Sequence, residues 1–258
     1  MIVGALELTT LASMTNQELL AATCPIINDL GAAFYFIPST ATVGKELGLR
    51  GMEFYILGRG GPMGNCDGVA VAAAFGFFKP SMLSGIWSDA AAKVDPRTAG
   101  RAHLECAANL GRAKLSGVPN LDKIVEALDA VNNAADPDGL SLYAAIRTEK
   151  LADDAPGRAM QLIAVLREFR GSAHILGLRA SGIDLKTAHF IKRPDMFATF
   201  GYTEEEAPIV DDATHAKMAA AEKLTDTLVE PAYAVLSDDQ RAVLVQGLQD
   251  IKAALKAE

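Results

Sequence analysis

PGRAMQLIAVLREFRGSAHILGLRAS, residues 156–181, decides the fold class. Its apolar residues Leu162, Val165, Leu166, Phe169, Ala173 and Leu176 recur at steps of three and four, the period of an α-helix. Pro156 suits the first helical position, where the missing amide would have had no partner. Gly182 follows the last periodic residue and serves as a C-cap. Inside this helix Arg167, Arg170 and His174 share one face, with Glu168 and Ser172 on the opposite flank. Such charge beside an apolar stripe has two readings. One is a salt-bridged core helix with a satisfied buried histidine. The other is the polar wall of a site for a carboxylate or phosphate on an apolar molecule. That second reading assigns His174 as acid/base, Glu168 as its orienting partner and Arg170 as an anion clamp.

Toward the C-terminus, Asp184 caps a shorter helix that Arg193-Pro194 stops after Lys192. The segment from Tyr202 to Asp212 holds five acidic residues and neither Lys nor Arg. Asp212 to Leu236 reads as a long helix with a kink or break at Pro231. Ser237 caps the last helix. A boundary in the acidic stretch divides the chain into a helical ligand-binding domain, 1–195, and a C-terminal helical region, 196–258.

Toward the N-terminus, Leu121 to Ala135 carries another helical stripe, and Asp136-Pro137-Asp138-Gly139 turns the chain into a helix from Leu140 to Leu151. Helices are also expected over Thr98–Leu115, Pro80–Lys93 and Gly64–Phe78. Thr15 and Glu18 stand at capping-box spacing. The short runs Ala32–Ile37 and Met52–Leu57 fit a strand or a buried helical turn. Helix is preferred, since no alternation repeats. The fold class is all-α: a multi-helix bundle with a degenerate winged-helix-like C-terminal region.

Half of the residues are hydrophobic and only 6% aromatic, so alanine carries much of the core and favours helix. The net charge of -8 argues against nucleic acid and anionic lipid as partners. Three scattered cysteines, Cys24, Cys66 and Cys106, form no disulfide framework and point to a reducing, cytoplasmic compartment. Met1 to Ala12 lacks the basic start of a signal peptide, and Val69 to Phe78 is too short to span a bilayer.

Gly58-Arg59-Gly60-Gly61-Pro62-Met63-Gly64 looks like a phosphate loop but lacks the Lys-Ser/Thr pair, and Pro62 removes an amide donor. Arg59 reads better as a ligand-binding or ion-pair residue. His103 and Cys106 stand three apart with no further ligand in sight, so no metal is assigned. No nucleophile elbow, zinc-protease or dinucleotide motif is present, and the cofactor is left unknown.

From Ile27 to Ile191 the chain resembles an actinobacterial family known as helix-turn-helix or SalK-like. The matching features are Tyr35-Phe36-Ile37-Pro38, Arg59 with Pro62-Met63-Gly64, the stretch from Leu166 to His174, and Gly182-Ile183-Asp184. The resemblance implies a Phe-Tyr-Asn-Phe-His-Pro run where this chain has Phe75-Gly76-Phe77-Phe78-Lys79-Pro80. It also implies a winged-helix-like segment before the final helices, where Gly201–Ala213 is too short and acidic to hold one. The combined expectation is an internal helical pocket for a small, largely apolar, anionic organic molecule, in a sensor or a tailoring enzyme of specialised metabolism. Arg59, Glu168, Arg170 and His174 form its polar end; Tyr35, Phe36, Phe75, Phe77 and Phe78 form its wall. A winged-helix-derived transcriptional regulator is the alternative. The apolar stripe of the last helix, Val245, Leu248 and Leu255, points to a homodimer.

Overall fold

A computed structural model describes residues 14–256; the expected character of Met1 to Ala12 lies outside them. The order is α1 (Asn16–Leu30), α2 (Pro38–Glu46), α3 (Met52–Gly60), α4 (Gly68–Phe75), α5 (Pro80–Ala91), α6 (Pro96–Lys114), α7 (Leu121–Ala134), α8 (Ser141–Ile146), α9 (Ala155–Ala180), α10 (Leu185–Lys192), α11 (Asp212–Tyr233) and α12 (Asp238–Lys256). Among the described residues there is no strand. No helix among them is long and apolar enough to cross a membrane.

The deciding stretch is α9, which forms the axis of the molecule. Asp154 caps it by accepting from Gly157 N–H, and Gly182 closes it at φ 72°, where the Ile183 amide reaches back to Leu178 O. Helices α1, α6, α7, α8, α10 and α11 all pack on it, so burial extends well beyond its predicted stripe. Gln161, Ile163, Glu168 and Ser172 are buried alongside Leu162, Val165 and Phe169. Each large apolar side chain so covered contributes roughly 2 kcal/mol. Leu176 departs from the expectation: it is 39% exposed.

Helices from both sides of the 195/196 division share one apolar core, with Val229, Tyr233, Leu244 and Leu248 joining Leu19, Leu128 and Phe169. The α12 stripe lies against α7 and α1. Thus the apolar face that suggested a second copy is largely covered within the chain. Leu224, Leu228 and Val235 remain exposed.

Several local expectations shift. Residues 31–36 form tight turns with i→i+3 hydrogen bonds rather than a regular helix. Helix α1 runs through Pro25, and α11 runs through Pro231 before ending at Tyr233. Neighbouring packing outweighs the amide each proline removes. The Ala/Val helix begins late, capped by Asp67, and ends early at Gly76 and Phe77, both at positive φ. Between α10 and α11 the chain forms two 3-10 turns, Pro194–Met196 and Glu204–Glu206.

Candidate functional site

Glu168 is 1% exposed on α9 and faces α3 and the turns after α1. A carboxylate that deep requires charged donors. Arg59, projected from the last turn of α3, meets it through Nε and Nη2 at 2.8 and 2.7 Å. Arg167 adds Nη1 at 3.0 Å, and Tyr35 donates its hydroxyl at 3.1 Å. Burial alone would raise the Glu168 pKa; the charge and hydrogen bonds of Arg59, then Arg167, bring it down to about 2. The Arg59 guanidinium also lies 4.4 Å from the Phe75 ring centroid. Two guanidiniums share one carboxylate, so this cluster carries one unit of excess positive charge.

Arg170 and His174 turn toward α11 instead. Arg170 donates to Glu222 at 3.0 Å and Asp226 at 3.2 Å. Lys192 on α10 also pairs with Glu222. The His174 Nδ1 lies 2.9 Å from Thr225 Oγ1, whose single proton is directed to Ala221 O at 2.7 Å. Nδ1 therefore donates and Nε2 keeps its lone pair. Burial lowers the His174 pKa to about 4, outweighing the nearby Glu222 carboxylate. The imidazole is neutral near pH 7.

A cavity of about 580 Å³ joins the two clusters, within the range of small-molecule sites. Its wall includes all nine expected site residues: Tyr35, Phe36, Arg59, Phe75, Phe77, Phe78, Glu168, Arg170 and His174. Their pairing differs from expectation. Glu168 belongs to Arg59 and Arg167, while His174 belongs to Thr225, so Glu168 does not orient the histidine. Arg170 is occupied by two carboxylates. Phe77 reaches the cavity from a left-handed backbone at φ 47°, costly for a bulky residue and a sign that its position is held by its surroundings.

The sequence reading missed His189 and Phe200, which also line the cavity, and Glu222 and Thr225 of α11. Glu222, Thr225 and Asp226 stand at helical spacing. That polar face was a usable signal. His189, inside α10, and Phe200, in the turns after it, had none, since nothing local ties either to α9.

The glycine loop has a packing role. A Cβ on Gly61 would fall 1.9 Å from Pro96 O, so glycine permits the chain after α3 to lie on α6. His103 sits among Phe34, Tyr35 and Phe54, and Cys106 donates to Ala102 O. Among the described residues, no three His, Cys, Asp or Glu side chains are grouped to hold a metal.

Against known proteins, the sequence profile of the helix-turn-helix family matches residues 21–258. The chain belongs to the helix-turn-helix family. No curated protein and no solved structure matches it. Membership in a helix-turn-helix family corrects the exclusion of nucleic acid as a partner. That exclusion used the net charge, which sums the whole surface, whereas groove binding depends on a local face. The acidity of residues 202–212 is also partly neutralised: Lys79 pairs with Glu206 at 2.9 Å.

Proposed function

We propose that the chain binds a small, largely apolar, anionic organic molecule in the α9 cavity, as a ligand-responsive member of the helix-turn-helix family. The observation that carries the reading is the excess positive charge of Arg59 and Arg167 around Glu168, opening onto an aromatic-walled cavity. A carboxylate entering there gains charge-assisted hydrogen bonds while its apolar body leaves water. Calorimetry with cinnamate and cinnamyl alcohol tests it. The acid should bind at least about tenfold more tightly, the ratio that one charge-assisted hydrogen bond supplies. Equal affinities would remove the anionic part of the reading.

The regulator half of the proposal is supported by family membership and by the α9–α10 junction. Ser181 to Asp184 join two helices through a four-residue turn containing Gly182, the form of a helix-turn-helix. Helix α10 also lines the cavity through Ala188, His189 and Lys192, so a bound molecule would bias its position. In this reading residues 196–258 are the winged-helix-derived remainder, and the chain groups with actinobacterial, SalK-like members. Selection from sheared genomic DNA, with and without cinnamate, tests it. Enrichment of discrete fragments supports the regulator; uniform recovery leaves a non-regulatory binding protein.

One observation favours a second reading, catalysis. The neutral His174 lines the cavity with its Nε2 3.9 Å from the Glu222 carboxylate, beyond hydrogen-bond range, and so has the form of a general base. Product detected by mass spectrometry with the wild type and lost in His174→Gln would select it.

A further inference from the structure

Helix α11 buries Met218, Ala221, Thr225, Val229, Ala232 and Tyr233 against the chain, and Glu222 and Asp226 on the adjoining flank hold Arg170. The side turned to water is where charge is expected on such a helix. It instead presents Ala220, Leu224, Pro231 and, past the helix end, Val235, spaced by about one or two turns along one stripe with Thr227 and Leu228 side by side at its middle; all six are exposed. Leu224, Leu228 and Val235 are 40%, 46% and 54% exposed. Single exposed apolar residues are ordinary, whereas a continuous stripe marks a contact surface. The two ends of this stripe carry opposite charge. Lys217 precedes Ala220 by one turn, and Asp238 and Asp239 open α12 just after Val235; all three are exposed. Among the described residues neither Lys217 nor Asp238 stands in a salt bridge, and Lys217 acts on Asp211 only at longer range.

We infer that this stripe seats a second copy of the chain, in a two-fold, antiparallel pairing of α11 with α11. A closed two-fold contact joins one patch to itself, so the patch must be self-complementary. With the axis between Thr227 and Leu228, antiparallel register sets Leu224 opposite the partner's Pro231 and Ala220 opposite the partner's Val235. The same register sets Lys217 opposite the partner's Asp238. Small side chains meet larger ones, and a cation meets an anion at both ends. Parallel pairing would instead set lysine on lysine and aspartate on aspartate, which repel. At 1.5 Å per residue the stripe from position 217 to position 235 is ~27 Å long. One helix face of that length falls short of the roughly 800 Å² per partner in a standard interface, so the pair is a reversible one that dissociates at about 1–100 μM. The inference is independent of the cavity and its ligand.

Analytical ultracentrifugation of the full chain, from about 1 to 200 μM, tests the pairing. The average mass is expected to climb from that of one chain toward that of two. Leu228→Glu, which sets like charges beside the axis, should weaken association at least about tenfold. It should leave the helical circular dichroism unchanged, because Leu228 is half-exposed in the single chain. Lys217→Asp alone should weaken association roughly fivefold, and so should Asp238→Lys. Combined, the two substitutions restore a cation opposite an anion and should return the mass toward that of the wild type. A single chain at every concentration would overturn the inference. So would a dimer indifferent to Leu228→Glu, since it would be built on another face. Losses that add in the double swap, with no rescue, would overturn the antiparallel register.

Discussion

Helix α9 carries two charged clusters made from the same residue types, and they differ in how far water reaches them. In the Arg59–Glu168–Arg167 cluster the carboxylate side chain is 2% exposed, Arg59 11% and Arg167 21%. In the Arg170–Glu222–Asp226 cluster the corresponding values run from 24% to 46%. The first is locked, because a buried carboxylate has no other source of solvation. The second can exchange partners with water and salt at little cost. Identical chemistry thus yields one fixed cluster and one adjustable one.

The largest effect that would break this contrast comes from Glu168→Ala. Removing that carboxylate leaves the half-buried Arg59 and Arg167 as unpaired like charges, with a loss of about 3 kcal/mol in urea unfolding. A loss below about 1 kcal/mol would mean that water already reaches the first cluster.

Acid should separate the histidine beside the second cluster from the carboxylate of the first. His174 titrates near pH 4 when folded against its ordinary 6.5. The unfolded chain therefore binds more protons as pH falls from 6.5, and stability drops progressively toward pH 4. His103, lowered by burial to about 3, and His189, also lowered by burial, act in the same direction. Glu168 is held near 2 against an ordinary 4.5, so its contribution is full above pH 4.5 and is lost as pH falls toward 2. His174→Gln should recover roughly 2 kcal/mol of the loss between pH 7 and pH 4. Urea midpoints measured at intervals across that range check the sign; an unchanged slope would assign the loss to the other histidines.

The smallest effect sharpens the comparison. Asp226→Asn should cost less than about 0.5 kcal/mol, because its bond to Arg170 is half-exposed and Glu222 remains as a partner. Added salt should erase the difference. A salt-independent cost above about 1 kcal/mol would place Asp226 in a dry site.

How legible this was can be argued from single positions. Arg59 and Glu168 stand far apart in sequence, yet each was singled out separately: one beside a glycine run, one as charge on an apolar helix. Their pairing was not legible, because nothing local relates α3 to α9. The flank assigned to Arg167, Arg170 and His174 was correct as helical geometry. It did not reveal that Arg167 bends to Glu168 while its neighbours turn to α11. The exclusion of nucleic acid failed for a related reason: a charge total carries no information about which charges share a face.

The sequence by itself determined the helices. Their apolar period, the caps at Thr15 and Asp184, and the Gly182 stop are local, since each depends on residues within a turn or two. Tertiary structure alone decided which flank of α9 meets which helix, and so which arginine holds Glu168 and which histidine nitrogen stays free. Those outcomes depend on long-range packing and on desolvation, which no short stretch of chain can specify.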